Sequence, residues 1–234
     1  MSTLLLLRHG LTAMTGPVLA GRTPGLHLDE RGQAQAAAVA ARIAALSLAA
    51  VVTSPLERCT DTAALVLEAQ RSAGRDPAWE SDERLVECGY GDWTGRAIKD
   101  LTKDPIWKIV QTQPSAARFP AGEALTEMSA RAVAAVRDWD ARLGPDAIWV
   151  ACSHGDVIKA ILADALGLHL DQFQRIVVDP CSVSVVRYTD TRPYVLRAND
   201  VGADFTAFAT PARRRRRRRS SEATVGGGAG SGQL

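Results

Sequence analysis

The chain has 234 residues, 46% of them hydrophobic, with 28 Lys and Arg against 26 Asp and Glu. That length supports one sizeable core, and no stretch approaches the ~18 apolar residues of a spanning helix or has the form of a secretory signal, so a soluble, cytoplasmic protein is expected. The net charge of +2 hides an asymmetry: Arg213–Arg219 less Glu222 give the tail +6 and leave the body at −4. A mildly acidic body does not suit nucleic-acid binding, and the arginine run offers at most a weak attraction to polyanions.

Strand-like and helix-like patterns alternate along the body. Thr3–Arg8 reads as a buried strand. Asp29 can cap a helix whose apolar face is Ala36, Val39, Ala40 and Ile43. Ala50–Ser54 is a second short strand, a helix runs from about Arg58 to Arg71, and Ala78–Ser81 is a candidate edge strand. Tyr90–Pro120, rich in Gly, Pro and Trp, reads as an irregular excursion over the site. Leu125, Met128, Ala132, Val136, Trp139 and Leu143 mark one face of a long helix. Strand Ala147–Ser153 and helix Gly155–Leu166 follow, then strands at Ile176–Val178, Ser182–Tyr188 and Tyr194–Arg197.

This order predicts a three-layer α/β/α sandwich with a mostly parallel sheet. The last two strands are joined by only Thr189–Pro193, too short for a helical crossover, so they form an antiparallel edge. Residues 1–210 are taken as the folded domain. Residues 211–234, polyarginine followed by a Gly-rich run, are expected to be disordered and nonessential. The four cysteines form no C-x-x-C pair and suggest neither a zinc site nor a disulfide framework. No metal and no cofactor is expected, and a homo-oligomer remains compatible with the sequence.

The chemistry gathers at strand ends. Leu4-Leu-Leu-Leu-Arg8-His9-Gly10 delivers a guanidinium and an imidazole to the edge where open α/β sheets place ligands. Val150-Ala-Cys-Ser-His154-Gly155 repeats the pattern, and Ser54-Pro-Leu-Glu-Arg58 puts an arginine in the first turn of a helix. Four cationic or cation-capable groups thus converge, and a phosphate is the guest they suit. Expelling an alcohol from a phosphate ester also needs a proton. Glu87, in a glycine-containing loop, can reach the pocket and is the candidate acid.

The ordered set Leu-Arg8-His9-Gly10, Ser54-Pro-Leu-x-Arg58-x-x-x-Thr62, Arg84-Leu-x-Glu87-x-x-Tyr-Gly91-x-Trp-x-Gly95 and Ser153-His154-Gly155 resembles the histidine phosphatase superfamily, the phosphoglycerate-mutase-like group. The resemblance covers about residues 3–200 and implies that group's fold. It implies His9 as the nucleophile that becomes phosphohistidine and Glu87 as the general acid and later base. Arg8, Arg58 and His154 would hold phosphoryl oxygens, a protonated His154 adding positive charge. The expected substrate is a small phosphorylated metabolite, with Thr12, Thr15, Arg22, Tyr90 and Trp93 as candidate contacts. Leu11 and Thr15 depart from the family's frequent glutamate and asparagine. Tyr90 resembles the mutases of the group, but Ile98 stands where they usually carry lysine. The expectation is a metal-independent phosphomonoesterase, with a phosphoglycerate mutase-type phosphomutase as the alternative.

Overall fold

A computed structural model describes residues 1–202 together with Val225, Gly226 and Gly228. Strand β1 (Ser2–Arg8) is followed by helix α1 (Glu30–Ile43), β2 (Ala50–Thr53), α2 (Glu57–Ser72) and β3 (Ala78–Ser81). Two short helices, α3 (Ile98–Leu101) and α4 (Pro105–Thr112), lie within the excursion. Then come α5 (Leu125–Leu143), β4 (Ile148–Ser153), α6 (Gly155–Ala165), β5 (Val183–Tyr188) and β6 (Pro193–Asp200).

The strands form one mixed sheet in the order β3-β2-β4-β1-β5-β6. The first four are mutually parallel, β5 is antiparallel to β1, and β6 is antiparallel to β5, as their four-residue connection dictates. Alternation along β1 builds two cores. Leu4 and Leu6 point to the layer of α5 and α6, whereas Leu5 and Leu7 point to the layer of α1 and α2. Both layers exclude water, which is why β1 reads as an unbroken apolar run.

Local chemistry fixes the helix ends. The Asp29 carboxylate accepts from Gly32 N–H at 2.8 Å and caps α1, a contact worth about 1 kcal/mol. Glu127 accepts from Ala124 N–H at 2.9 Å at the start of α5. Gly10 and Gly32 exist because the strand-end loop presses on the α1 N-terminus: a Cβ on Gly32 would lie 2.0 Å from the Leu11 carbonyl oxygen, and one on Gly10 2.7 Å from that of Gly32.

One expected strand is absent. Ile176–Val178 is not in the sheet. Both edges of β1 are already taken by β4 and β5, so the segment crosses the sheet's end instead. There its Val178 carbonyl accepts from Arg8 Nη1 at 2.8 Å. No helix among the described residues is long and apolar enough to cross a membrane. The arginine run lies outside the described residues.

Candidate active site

Register brings the two histidines together. In the parallel pair β1 and β4, Arg8 sits beside Ser153, and His9 N–H donates to the Ser153 carbonyl at 3.0 Å. The next residue of each strand is therefore an imidazole at the same sheet edge, and the two ring centroids are 5.2 Å apart. Strand β2 lies on the other side of β4 and ends at Thr53, just before Ser54, which places Arg58 in the first turn of α2 against both rings. Arg8, His9, Arg58, Glu87 and Tyr90 line one cavity with Thr12 and Thr15. His154 adjoins it through Arg58.

Arg58 fixes the protonation pattern of both histidines. A guanidinium only donates. Its Nε reaches His9 Nε2 at 3.2 Å and its Nη2 reaches His154 Nδ1 at 3.1 Å. Both imidazole nitrogens are therefore acceptors. The proton of His9 is on Nδ1, donated to the Gly10 carbonyl at 2.7 Å, which leaves the Nε2 lone pair facing the cavity. The proton of His154 is on Nε2, toward Ser54 Oγ at 2.7 Å. Burial, then Arg58 and Arg8, hold His9 well below the usual histidine range. Burial, then Arg58 and His9, do the same for His154. This corrects the expected charge of His154. It is a neutral ring with both nitrogens engaged, because a third positive charge beside two guanidiniums is unfavourable.

Two buried cationic N–H groups have no partner among the described residues, Arg8 Nε and Arg58 Nη1. Burial lowers Arg8 to about 10, so it still carries its charge at neutral pH. Orphaned charged donors in a buried pocket are costly unless an anion meets them.

Glu87 is 3% exposed. Burial, then the Asp156 carboxylate, raises it to about 7 against the pull of the Cys88 N–H, Arg58 and Arg8. Its loop is clamped from outside. Arg22 Nε donates to the Glu87 carbonyl at 2.7 Å and Arg131 Nη2 to the same oxygen at 3.2 Å, and Glu123 pairs with both guanidiniums. Arg131, Glu123 and Asp156 carry no motif signal, since the groups they hold at the site, the Glu87 carbonyl, Arg22 and the Tyr90 hydroxyl, are distant in sequence.

Of the candidate substrate contacts, Thr12, Thr15 and Tyr90 line the cavity. Arg22 is instead turned to Glu87 and Glu123, away from the lining. Trp93 is a core residue, fully buried between Trp107 and Phe119, because the excursion folds its aromatic rings inward. The four cysteines are free and buried, and burial pushes the Cys88 and Cys152 thiols well up, against thiolate reactivity.

The groups that converge here are an imidazole whose Nε2 accepts, two guanidiniums that each keep a buried N–H unpartnered among the described residues, and a buried carboxyl group raised toward neutrality. A family model described as histidine phosphatase superfamily (branch 1) matches residues 4–201, and the chain belongs to that superfamily. Over 205 residues it is 27% identical to phosphoserine phosphatase 1 of Hydrogenobacter thermophilus, covering 85% of this chain and 92% of that protein. Over 188 residues it is 30% identical to the probable phosphoglycerate mutase GpmB of Yersinia pestis, covering 80% and 85%. An 80-residue stretch is 44% identical to uncharacterized protein Rv0525 of Mycobacterium tuberculosis and spans 34% of this chain and 37% of that relative. The solved structure of mycobacterial glucosyl-3-phosphoglycerate phosphatase Rv2419c superposes with a TM-score of 0.74 at 25% identity, covering 85% of this chain and 98% of that one.

Proposed function

We propose that the chain is a metal-independent phosphomonoester hydrolase that works through phosphohistidine at His9. The observation that carries this reading is the meeting of His9 Nε2 with two unpartnered buried donors, Arg8 Nε and Arg58 Nη1, in one cavity.

His9 Nε2 attacks phosphorus as the bond to the leaving oxygen breaks. Arg8 and Arg58 neutralise the phosphoryl oxygens, the role that positive charge must play in a loose transition state. Glu87, protonated near neutral pH by its burial, gives its proton to the departing alcohol. Its carboxylate then takes a proton from water. The water oxygen bonds to phosphorus, the P–N bond breaks, and His9 returns neutral. The Gly10 carbonyl stabilises the Nδ1–H throughout, and the positive charge on phosphohistidine sits against it.

A phosphomutase uses the same first step. It must also retain a second anionic group so that the phosphoryl group returns to it. Val18, Leu19, Ala20 and Ile98, which line the cavity beyond the phosphate-binding groups, are uncharged. That favours hydrolysis of a small phosphorylated metabolite with an uncharged portion near these walls. A panel of natural phosphomonoesters, scored for phosphate release with chelator present, tests the reading. Turnover by at least one of them is expected. Bisphosphate-stimulated interconversion that outpaces phosphate release would replace hydrolase with mutase.

A further inference from the structure

The glycine-rich run near the C-terminus plays no part in the chemistry above, and the expectation was that it lies outside the fold. Most of residues 211–234 are not among those described, but Val225, Gly226 and Gly228 are, and all three line the phosphate cavity. Val225 is 2% exposed and packs in the core layer that includes Leu19 and Tyr90. Gly226 N–H donates to Asp156 Oδ2 at 3.0 Å, and the same carboxylate oxygen accepts from the Tyr90 hydroxyl at 2.8 Å. The Gly226 and Gly228 carbonyls accept from Arg8 Nη2 at 3.4 Å and Nη1 at 2.8 Å.

A guanidinium has five N–H donors in a rigid plane. At Arg8 three are engaged, two by the tail carbonyls and one by Val178. Both Nη1 hydrogens are used, so the side that remains carries Nε–H and one Nη2–H. Two donors are what a bidentate grip on a phosphoryl group requires. The tail therefore settles which edge of Arg8 faces the ligand. Gly226 suits the position: its φ is +75°, and a Cβ there would meet Leu19 Cδ1 at 3.0 Å.

We infer that Val225, Gly226 and Gly228 act as a positioning strap of the phosphate site, which orients Arg8 for phosphoryl oxygens and walls the cavity against water. This rests on the pocket being a phosphoryl site, as proposed above. The strap acts through Arg8 and does not itself carry out chemistry. Without it, the Arg8 guanidinium loses two of its three acceptors and is held, among the described residues, by the Val178 carbonyl alone, and a small misplacement of a phosphate donor has a large effect on rate.

The test uses full-length protein with Val225→Asp and, separately, Gly226→Val. The first puts a charge into a buried apolar site, the second strains the φ and crowds Leu19. Three quantities are measured: hydrolysis of p-nitrophenyl phosphate, the dissociation constant for inorganic phosphate, and the unfolding midpoint. Both variants are expected to remain folded, to bind phosphate roughly tenfold more weakly or worse, and to raise KM more than they lower kcat. Two variants allow for one of them failing to fold. A lower midpoint with unchanged phosphate affinity makes the strap a packing element and overturns the inference. Tighter phosphate binding with faster turnover makes it an inhibitory plug and also overturns it. Wild-type protein that binds no phosphate sinks this inference and the proposed function together. Active wild type with unaffected variants removes the strap alone.

Discussion

Arg58 Nε donates to His9 Nε2 across 3.2 Å, so one buried guanidinium of the cavity holds in place the lone pair of the proposed nucleophile. The same side chain reaches His154 Nδ1 and the Gly21 carbonyl. One residue at the start of α2 thus sets two tautomers and the orientation of a third group. When phosphate enters, the Nε bond to His9 must lengthen as Nε2 turns its electrons to phosphorus.

Arg58→Lys keeps a charge but not the planar fork. A lysine cannot serve His9, His154 and Gly21 from three directions. We expect kcat/KM to fall by on the order of 10²- to 10³-fold, the usual loss when a preorganised donor to developing charge is removed. Near wild-type steady-state kinetics in this variant would show that charge alone suffices.

Glu87→Gln removes the proton donor while preserving shape. Poor leaving groups such as alkyl phosphates should slow by on the order of 10²- to 10⁴-fold, whereas nitrophenol needs little help to depart. In the wild type the alkyl-phosphate rate should decline as pH rises through about 7, where Glu87 loses its proton. His9 is held well below its ordinary value, so it should add no acidic limb near neutrality. Equal losses for both substrate types would remove Glu87 from the acid role.

The same carboxyl group links pH to stability. Its value rises from 4.5 to about 7 on folding. The folded state therefore holds the proton more tightly than the unfolded chain. That stabilisation is complete below pH 4.5 and is lost as pH rises through about 7, to an extent of up to about 3 kcal/mol. Thermal melts across this range should show wild type losing stability relative to Glu87→Gln as pH increases. A constant difference between the two would contradict the raised value.

Arg131→Met keeps the bulk of the side chain and releases the Glu87 loop from its clamp. Arg131 is held by Glu123 and donates to the carbonyls of both Arg84 and Glu87. The expected result is a selective drop of roughly tenfold in kcat for poor leaving groups, with KM little changed, because the acid drifts while the phosphate grip stays. Equal effects on good and poor leaving groups would mean the clamp serves the fold alone.

The sheet and the anion pocket were legible because both follow from strand ends. A buried apolar run stopping at Arg8-His9-Gly10 and another at His154-Gly155 can meet at one edge if the strands are parallel neighbours, and β1 and β4 are. What failed had no local signature. Ile176–Val178 has a strand's composition, but both edges of β1, the strand whose end it crosses, are already taken. Trp93 is as apolar as any pocket tryptophan, and its burial depends on Trp107 and Phe119 closing over it. Arg22 and Arg131 are distant from each other and from Glu87 in sequence, and only the fold brings both, through Glu123, to the Glu87 carbonyl. His154 was legible as a site residue but not in its charge, which is set by Arg58.

The proposed hydrolysis requires a covalent bond between phosphorus and His9 Nε2. Rapid acid-free quenching during turnover of a radiolabelled phosphomonoester, followed by peptide mapping, tests it most directly. A base-stable, acid-labile label is expected on the peptide that contains His9, lost in His9→Ala along with turnover. Label on another residue, or full turnover in His9→Ala, would contradict it.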